Sequence, residues 1–456
     1  MKGTWTGVSI EAPFDDLYLE FPLSSMRRTT MDQTTRAEAD LREKARNYLP
    51  GGSFGNAPEF VIVEGEGGRV RDASGREYVD YLLGSGPMLL GHNHPEVMEA
   101  VRAQLERGAT FFANSPPGIL LAEAICKAMP CAEKVRYTSS GSEATLYAMR
   151  AVRAFRGRSK ILKFEGGYHG MNEYALMSLA PKRHANGTNP IPDSAGIPEV
   201  IENEILVAPY NDLEAVKAII EEHHDALAGV VMEPLQRIIT PRPGFLQGVR
   251  ELTSKYEIPL VFDEIVTGFR LSYGGGQEFY QVVPDLCTIG KIVGGGFPLA
   301  ALAGREDIMR HFDAEAVGPE RFLPQIGTLN GNPIAASAGL ATLDVLSRGD
   351  AYERLFENGR RLMEGLGKAM GDAGVESQIT GEPCLFEIVF TGAPIVDYWS
   401  VENGDKKKLS MFNSLLAEHG VIKASSKFYV SVAHTDEDID LTLQAFDAVA
   451  KEIAKH

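Results

Sequence analysis

Between residues 118 and 303, helical and β-rich segments take turns, and this alternation constrains the fold more than any other feature of the chain. Helical patterns at 118–129, 143–156, 212–223 and 245–256 separate short apolar runs at 134–138, 160–164, 229–233, 259–263, 286–290 and 299–303. Crossovers of that length predict an α/β fold, a mostly parallel sheet with helices on both faces. Open sheets of this kind bind ligands outside the carboxyl ends of their strands. Glu233, Asp263 and Lys291 would fall there.

The last two of these carry the first chemical inference. Lys291 follows Asp263 by 28 residues, and each closes a run that reads as a buried strand. A lysine amine beside a carboxylate at adjacent strand ends is what pyridoxal phosphate chemistry requires. The amine forms a Schiff base with the cofactor aldehyde, and the carboxylate keeps the ring nitrogen protonated. Both are therefore candidate catalytic residues. Ile265, two residues beyond Asp263, would point to the same side and pack beneath the ring, although a core isoleucine would look the same.

Further motifs surround the pair. Ser139-Ser140-Gly141-Ser142-Glu143 joins a strand to a helix, so N–H groups at the helix start, with hydroxyls from Ser140 or Ser142, can bind a phosphate. A plain N-cap would use the same residues. In Gly166-Gly167-Tyr168-His169-Gly170 the flanking glycines would let Tyr168 lie over a flat ring. Thr328, in the turn at 327–333, would either donate to the phosphate or cap the turn. Gly91-His92-Asn93-His94-Pro95 offers two histidines without a third ligand, so no metal site is expected.

At 456 residues the chain needs two or three structural units. After about residue 349 a helix at 352–370, β-type runs at 384–391, 421–423 and 428–432, and a helix at 437–454 suggest a smaller α+β domain. Upstream, 35–49 is helical in pattern, Pro50-Gly51-Gly52 breaks it, and a hairpin is centred on Ser74-Gly75. Residues 1–35 read as a docking arm or a tail. The expected division is an N-terminal segment at 1–85 packing with the small domain, a large cofactor-binding domain at 86–348 and the small domain at 349–456. Lys406-Lys407-Lys408 is expected in a solvated polar loop.

The formal charge of −17 argues against nucleic acid or an anionic membrane as partner. No apolar run reaches the roughly 18–20 residues of a membrane span. The four cysteines, Cys126, Cys131, Cys287 and Cys384, show no metal or disulfide spacing, and the acidic N-terminus is unlike a signal peptide. A reduced, cytoplasmic protein is expected.

Together the motifs resemble class III pyridoxal-phosphate-dependent aminotransferases of fold type I, in the branch of glutamate-1-semialdehyde aminomutases. The carriers are Gly91-His-Asn-His-Pro95, Ser140-Gly-Ser-Glu-Ala144, Gly167-Tyr-His-Gly170, Glu233-Pro234, Phe262-Asp-Glu-Ile-Val-Thr-Gly-Phe-Arg270, Gly290-Lys291 and Gly327-Thr-Leu-Asn-Gly-Asn-Pro333, in order across residues 35–450. The resemblance implies Lys291 as the Schiff-base lysine and Asp263 as the pyridinium partner. It places Gly141 and Ser142 on the phosphate and Tyr168 and Ile265 on the two ring faces. It also implies a homodimer with active sites at the interface, Thr328 reaching the neighbouring subunit's phosphate.

Two departures stand out. Aminomutases of that branch carry an arginine after the Pro-Gly-Gly turn to grip the substrate carboxylate, whereas residues 50–60 hold no basic residue here. The loop after Glu233 also reads shorter, and its Arg237 is the candidate replacement, since a guanidinium binds carboxylate in bidentate fashion. On these grounds the expected activity is an aminotransferase. It would move an amino group from a small-molecule amine or amino acid donor to a keto acid or aldehyde acceptor in ping-pong half-reactions. The alternative is a glutamate-1-semialdehyde-type aminomutase or an amino-acid epimerase on the same scaffold.

Overall fold

The computed structural model describes residues 31–55, 57, 60–184 and 187–456. The proposed arm or tail at 1–35 therefore falls almost wholly outside the described residues. The chain divides into two compact units, one comprising the residues up to Glu64 with Val70–Glu77, the other Gly65–Arg69 with Tyr78–His456. In the first unit the helix Met31–Tyr48 ends where Gly51 and Gly52 adopt left-handed backbone, as the Pro-Gly-Gly break implied. The turn at Ser74–Gly75 also forms, the Asp72 carboxylate accepting from the N–H groups of Ser74 and Arg76 at 2.9 and 3.0 Å.

In the second unit a seven-stranded sheet runs in the order Lys134–Thr138, Ala300–Gly304, Leu286–Ile289, Leu260–Glu264, Leu227–Met232, Lys160–Phe164, Ile205–Ala208. The last five pair in parallel, and Ala300–Gly304 is antiparallel to both its neighbours. Five of these strands are wholly buried, as runs such as Leu-Ala-Gly-Val-Val-Met require when helices cover both faces. Ile205–Ala208 is the strand that the alternation did not reveal. The helices Pro116–Ala128, Gly141–Arg156, Leu213–His223 and Phe245–Lys255 fall within a few residues of their expected positions.

This topology gathers the chemistry at one edge. Two antiparallel steps restore direction, so Lys134–Thr138 points the same way as the parallel strands. Ala300 pairs with Thr138 while Ala301 pairs with Ile289. The segments after Thr138, Phe164, Met232, Glu264 and Ile289 therefore all leave the sheet at the same side.

Toward the C-terminus, a helix at Ala351–Asp372 precedes the antiparallel strands Gln378–Glu382, Leu385–Val389 and Phe428–Tyr429. Val421–Lys423 runs parallel to residues 79–81, and the final helix Asp436–Ile453 starts with a Thr435/Asp438 capping box. A buried ion pair, Lys423 Nζ to Glu387 Oε2 at 2.5 Å, fastens this region. One expectation is overturned here. Lys406, Lys407 and Lys408 form the first turn of the helix Lys406–Glu418, because the Asp405 carboxylate caps the N–H groups of Lys407 and Lys408, both at 3.0 Å. Among the described residues no helix is long and apolar enough to cross a membrane.

Candidate active site

Asp263 is 4% exposed and fully engaged. The parallel register sets it beside Thr288, whose hydroxyl donates to Oδ1 at 2.9 Å, and the Ile265 N–H adds a contact at 3.2 Å. Its Oδ2 lies 2.7 Å from Nδ1 of His169, a ring buried in the glycine-flanked loop. The His169 carbonyl accepts from Thr145 Oγ1, which ties that loop to the helix Gly141–Arg156. His169 Nε2 has no hydrogen-bond partner among the described residues.

Lys291 follows the neighbouring strand in a left-handed backbone conformation, φ 49°, a geometry that a non-glycine residue holds only where its surroundings impose it. Burial pulls its amine below the ordinary lysine value of 10.5. Asp263 and Glu233 oppose that shift, while Arg270 and Arg237 add to it. Glu233 acts as a clamp, accepting from the N–H groups of Tyr168 at 2.8 Å and Arg237 at 3.2 Å.

The start of the helix Gly141–Arg156 is built around a capping box. Ser140 Oγ accepts from the Glu143 N–H, and the Glu143 carboxylate accepts from the Ser140 N–H at 2.9 Å. The Ser140 hydroxyl also donates to that carboxylate at 3.0 Å, so it is committed to the cap. Of the four N–H groups that a helix start leaves without an intrahelical acceptor, the box satisfies two, and those of Gly141 and Ser142 remain for an anion. Ser142 Oγ accepts from the Met171 N–H at 3.1 Å, which leaves its own proton to donate. Ile265 wedges between Gly141 and Gly290, where a Cβ at either glycine would come within about 3.1 Å of its Cδ1.

Tyr168 and Arg237 line a cavity of about 380 Å³ with Ile238, Tyr398 and Ser426. The Arg237 guanidinium lies 5.4 Å from the Tyr168 ring centre and makes no ion pair with any described residue. Thr328 is exposed, outside the cluster around Lys291, in a turn fastened by Ser139 Oγ donating to Asn330 Oδ1 at 3.1 Å. His92 is paired with Asp80 at 2.8 Å, and among the described residues no group of three or more His, Cys, Asp or Glu side chains could hold a metal. His169, Thr288 and the clamping role of Glu233 are not evident from the sequence motifs alone. The glycines around His169, and the position of Thr288 three residues before Lys291, were the available signals.

This arrangement, a lysine and a buried carboxylate at adjacent strand ends with a capped helix start on the same side of the sheet, goes with a family match. The chain belongs to the class-III aminotransferase family, whose model matches residues 53–449. It is 42% identical to glutamate-1-semialdehyde 2,1-aminomutase of Methanothermobacter thermautotrophicus, over 90% of this chain and 98% of that protein. It is 40% identical to glutamate-1-semialdehyde 2,1-aminomutase 2 of Brevibacillus brevis, over 91% of this chain and 98% of that one. Among solved structures, an omega-transaminase from Sphaerobacter thermophilus superposes with a TM-score of 0.87 at 34% identity, covering 92% of this chain and 98% of that one. The fold is therefore fold type I.

These relatives correct the expected activity. End-to-end identity of about two-fifths to aminomutases overturns the aminotransferase expectation in favour of its alternative. The missing arginine after the Pro-Gly-Gly turn misled because it concerns the grip on substrate, and the reaction can keep its course when another residue supplies that grip. The chain is a pyridoxal-phosphate enzyme of this family. Its residues fit the cofactor: two unsatisfied N–H groups for a phosphate, and a buried carboxylate and an amine at adjacent strand ends.

Proposed function

We propose that the chain is a glutamate-1-semialdehyde 2,1-aminomutase, moving the amine of 4-amino-5-oxopentanoate from C4 to C5 to give 5-amino-4-oxopentanoate. The carrying observation is the identity with two such enzymes across nine-tenths of the chain. Substrate and product are isomers, so the net reaction needs no second substrate and no oxidant.

Pyridoxal phosphate, when bound, supplies an aldehyde that accepts and returns amines and a ring that withdraws electrons from the adjoining carbon. Lys291 would hold it covalently and, once displaced, move protons between each substrate carbon and the carbon that carried the cofactor's aldehyde. Burial suits that task, since a lowered pKa leaves more of the amine neutral. Asp263, oriented by Thr288 and His169, would hold the ring nitrogen in its protonated form. The N–H groups of Gly141 and Ser142, with the Ser142 hydroxyl, would bind the phosphate. Tyr168 and Ile265 would flank the ring, and Arg237 would meet the substrate carboxylate.

The same proposal includes a homodimer, with Thr328 serving the neighbouring subunit's phosphate. The exposed Ile326 and Leu329 beside it support burial against a second copy. Residues 86–348 would form the cofactor-binding domain and 349–456 the smaller one. Free cysteines suit a reducing cytoplasm.

The test is conversion of 4-amino-5-oxopentanoate by purified holoenzyme, followed by NMR with no other amine or carbonyl present. Appearance of 5-amino-4-oxopentanoate, lost in Lys291→Ala, is expected. Turnover only after a keto acid is added would overturn the proposal.

A further inference from the structure

A tight turn after the strand Leu227–Met232 holds Arg237 in an unusual way. The Gln236 N–H meets the Ile239 carbonyl at 3.2 Å and the Ile239 N–H meets the Gln236 carbonyl at 2.8 Å, so Arg237 and Ile238 form a two-residue hairpin loop. Arg237 takes its first position with φ 63°, a left-handed conformation that such loops usually give to glycine or asparagine. Its N–H is fixed by Glu233, whose Oε2 accepts at 3.2 Å. A bulky residue keeps left-handed backbone only where the fold imposes it, and such positions gather at functional sites. The turn delivers the guanidinium to the cavity of about 380 Å³ that Tyr168 also lines, 5.4 Å from that ring's centre.

Three charged side chains line this cavity. Glu402 and Lys406 answer each other at 3.4 Å, and Lys182 adds a second cation to Glu402 at 3.0 Å. Arg237 has no ion pair with any described residue, so a carboxylate is its complementary ligand. Much of the remaining wall is apolar: Leu179, Ile238, Ile239 and Val401, with the rings of Tyr168 and Tyr398. That wall is firmly fastened. A Cβ at Gly166 would come 2.3 Å from Tyr398 Cδ2, the Tyr398 hydroxyl donates to the Pro181 carbonyl at 3.0 Å, and Trp399 Nε1 donates to Glu165 Oε2 at 2.8 Å. Neither Lys291 nor Asp263 lines the cavity, so a five-carbon substrate reacting at Lys291 sends only its carboxylate end into it. At about 30 Å³ per water-sized group the space holds roughly a dozen such groups, well beyond what that end fills.

We propose that this cavity is a subsite for an apolar branch of the ligand: the chain takes carboxylates that carry an alkyl or aryl group close to the carboxylate, and a linear five-carbon acid leaves the subsite unfilled. The carboxylate engages the planar fork of Arg237, the branch packs against Ile238, Val401 and Tyr398, and the rest of the ligand runs toward Lys291. This inference rests on the assignment of Arg237 to the substrate carboxylate, and it widens the substrate class from one linear acid to its branched homologues.

The probes are pentanoate and the two enantiomers of 3-phenylpentanoate, which share the carboxylate and five-carbon chain of the substrate but have no amine or second carbonyl to react. Calorimetric titration of holoenzyme should show one enantiomer binding about 10–100-fold more tightly than pentanoate, the gain expected from burying a phenyl ring. Val401→Trp, which fills the apolar wall, should remove that gain and leave pentanoate unchanged. Leu179→Trp serves the same purpose should Val401→Trp fail to fold. Arg237→Met should weaken pentanoate and the tighter enantiomer alike, by about 10-fold or more, the range for a hydrogen bond to a charged group. The proposal is overturned if neither enantiomer exceeds pentanoate, if the gain survives in a folded, filled variant, or if Arg237→Met binds both acids as wild type does. A ring-dependent gain in a protein that does not isomerise 4-amino-5-oxopentanoate upholds the subsite and rejects the assigned reaction, whereas isomerisation without that gain does the reverse.

Discussion

Asp263→Asn isolates one charge at nearly constant shape. Asparagine can keep Oδ1 in place, still accepting from Thr288 Oγ1 and the Ile265 N–H, at 2.9 and 3.2 Å in the native arrangement. Its Nδ2 then replaces Oδ2 beside His169 Nδ1, a 2.7 Å contact that survives if Nδ1 becomes the acceptor. The imidazole proton moves to Nε2, which has no partner among the described residues to lose. The fold should therefore hold, and only the negative charge should disappear. At a separation of about 2.8 Å and an effective dielectric of about 20, that charge is worth about 6 kcal/mol to a protonated ring nitrogen. Relief of desolvation offsets part of this, and removing one partner of a buried pair costs about 3–5 kcal/mol net. If the loss falls on the step that needs the electron-withdrawing ring, kcat drops by about 10²–10⁴. The assay is steady-state turnover of 4-amino-5-oxopentanoate, with cofactor absorbance and a thermal melt to confirm a loaded, folded protein. A loaded, folded Asp263→Asn enzyme with kcat within about threefold of wild type would refute the role given to the carboxylate.

Three more outcomes follow from the structure. With the neutral form of Lys291 as the proposed nucleophile, capture of pyridoxal phosphate by apoprotein should speed up as pH rises and level off below pH 10.5, since burial lowers this amine's pKa; a stopped-flow absorbance profile still rising beyond that point would count against it. Lys423→Met strands the Glu387 carboxylate, both side chains being no more than 2% exposed, and should cost about 3–5 kcal/mol in urea unfolding, most of it recovered in Lys423→Met/Glu387→Leu; equal stability of single and double variants would contradict this. A Cβ at Gly339 would collide with the carbonyl oxygen of Val293, two residues beyond Lys291, so Gly339→Ala should cost about 1–3 kcal/mol and lower cofactor occupancy, read by melting temperature and absorbance ratio.

The sheet was largely legible because strands buried on both faces must be continuous apolar runs, and those at 229–233, 259–263 and 286–290 have that form. Ile205–Ala208, an equally short apolar run at the sheet's edge, has no functional residue at its end to mark it. The Asp263–Lys291 pair could be read from strand ends alone. The function of Ser140 could not, because cap and phosphate site use the same residues, and only the capping geometry shows its hydroxyl engaged. The reaction was misjudged for a related reason. Transferring and isomerising enzymes need the same cofactor-holding groups, so these motifs do not separate them.

The most direct test concerns which amine carries the cofactor. Holoenzyme reduced with borohydride and digested should show, by mass spectrometry, a single pyridoxyl adduct on the peptide containing Lys291. An adduct on the peptide of Lys163, Lys423 or Lys427 instead, with Lys291 unmodified, would contradict the account at its root.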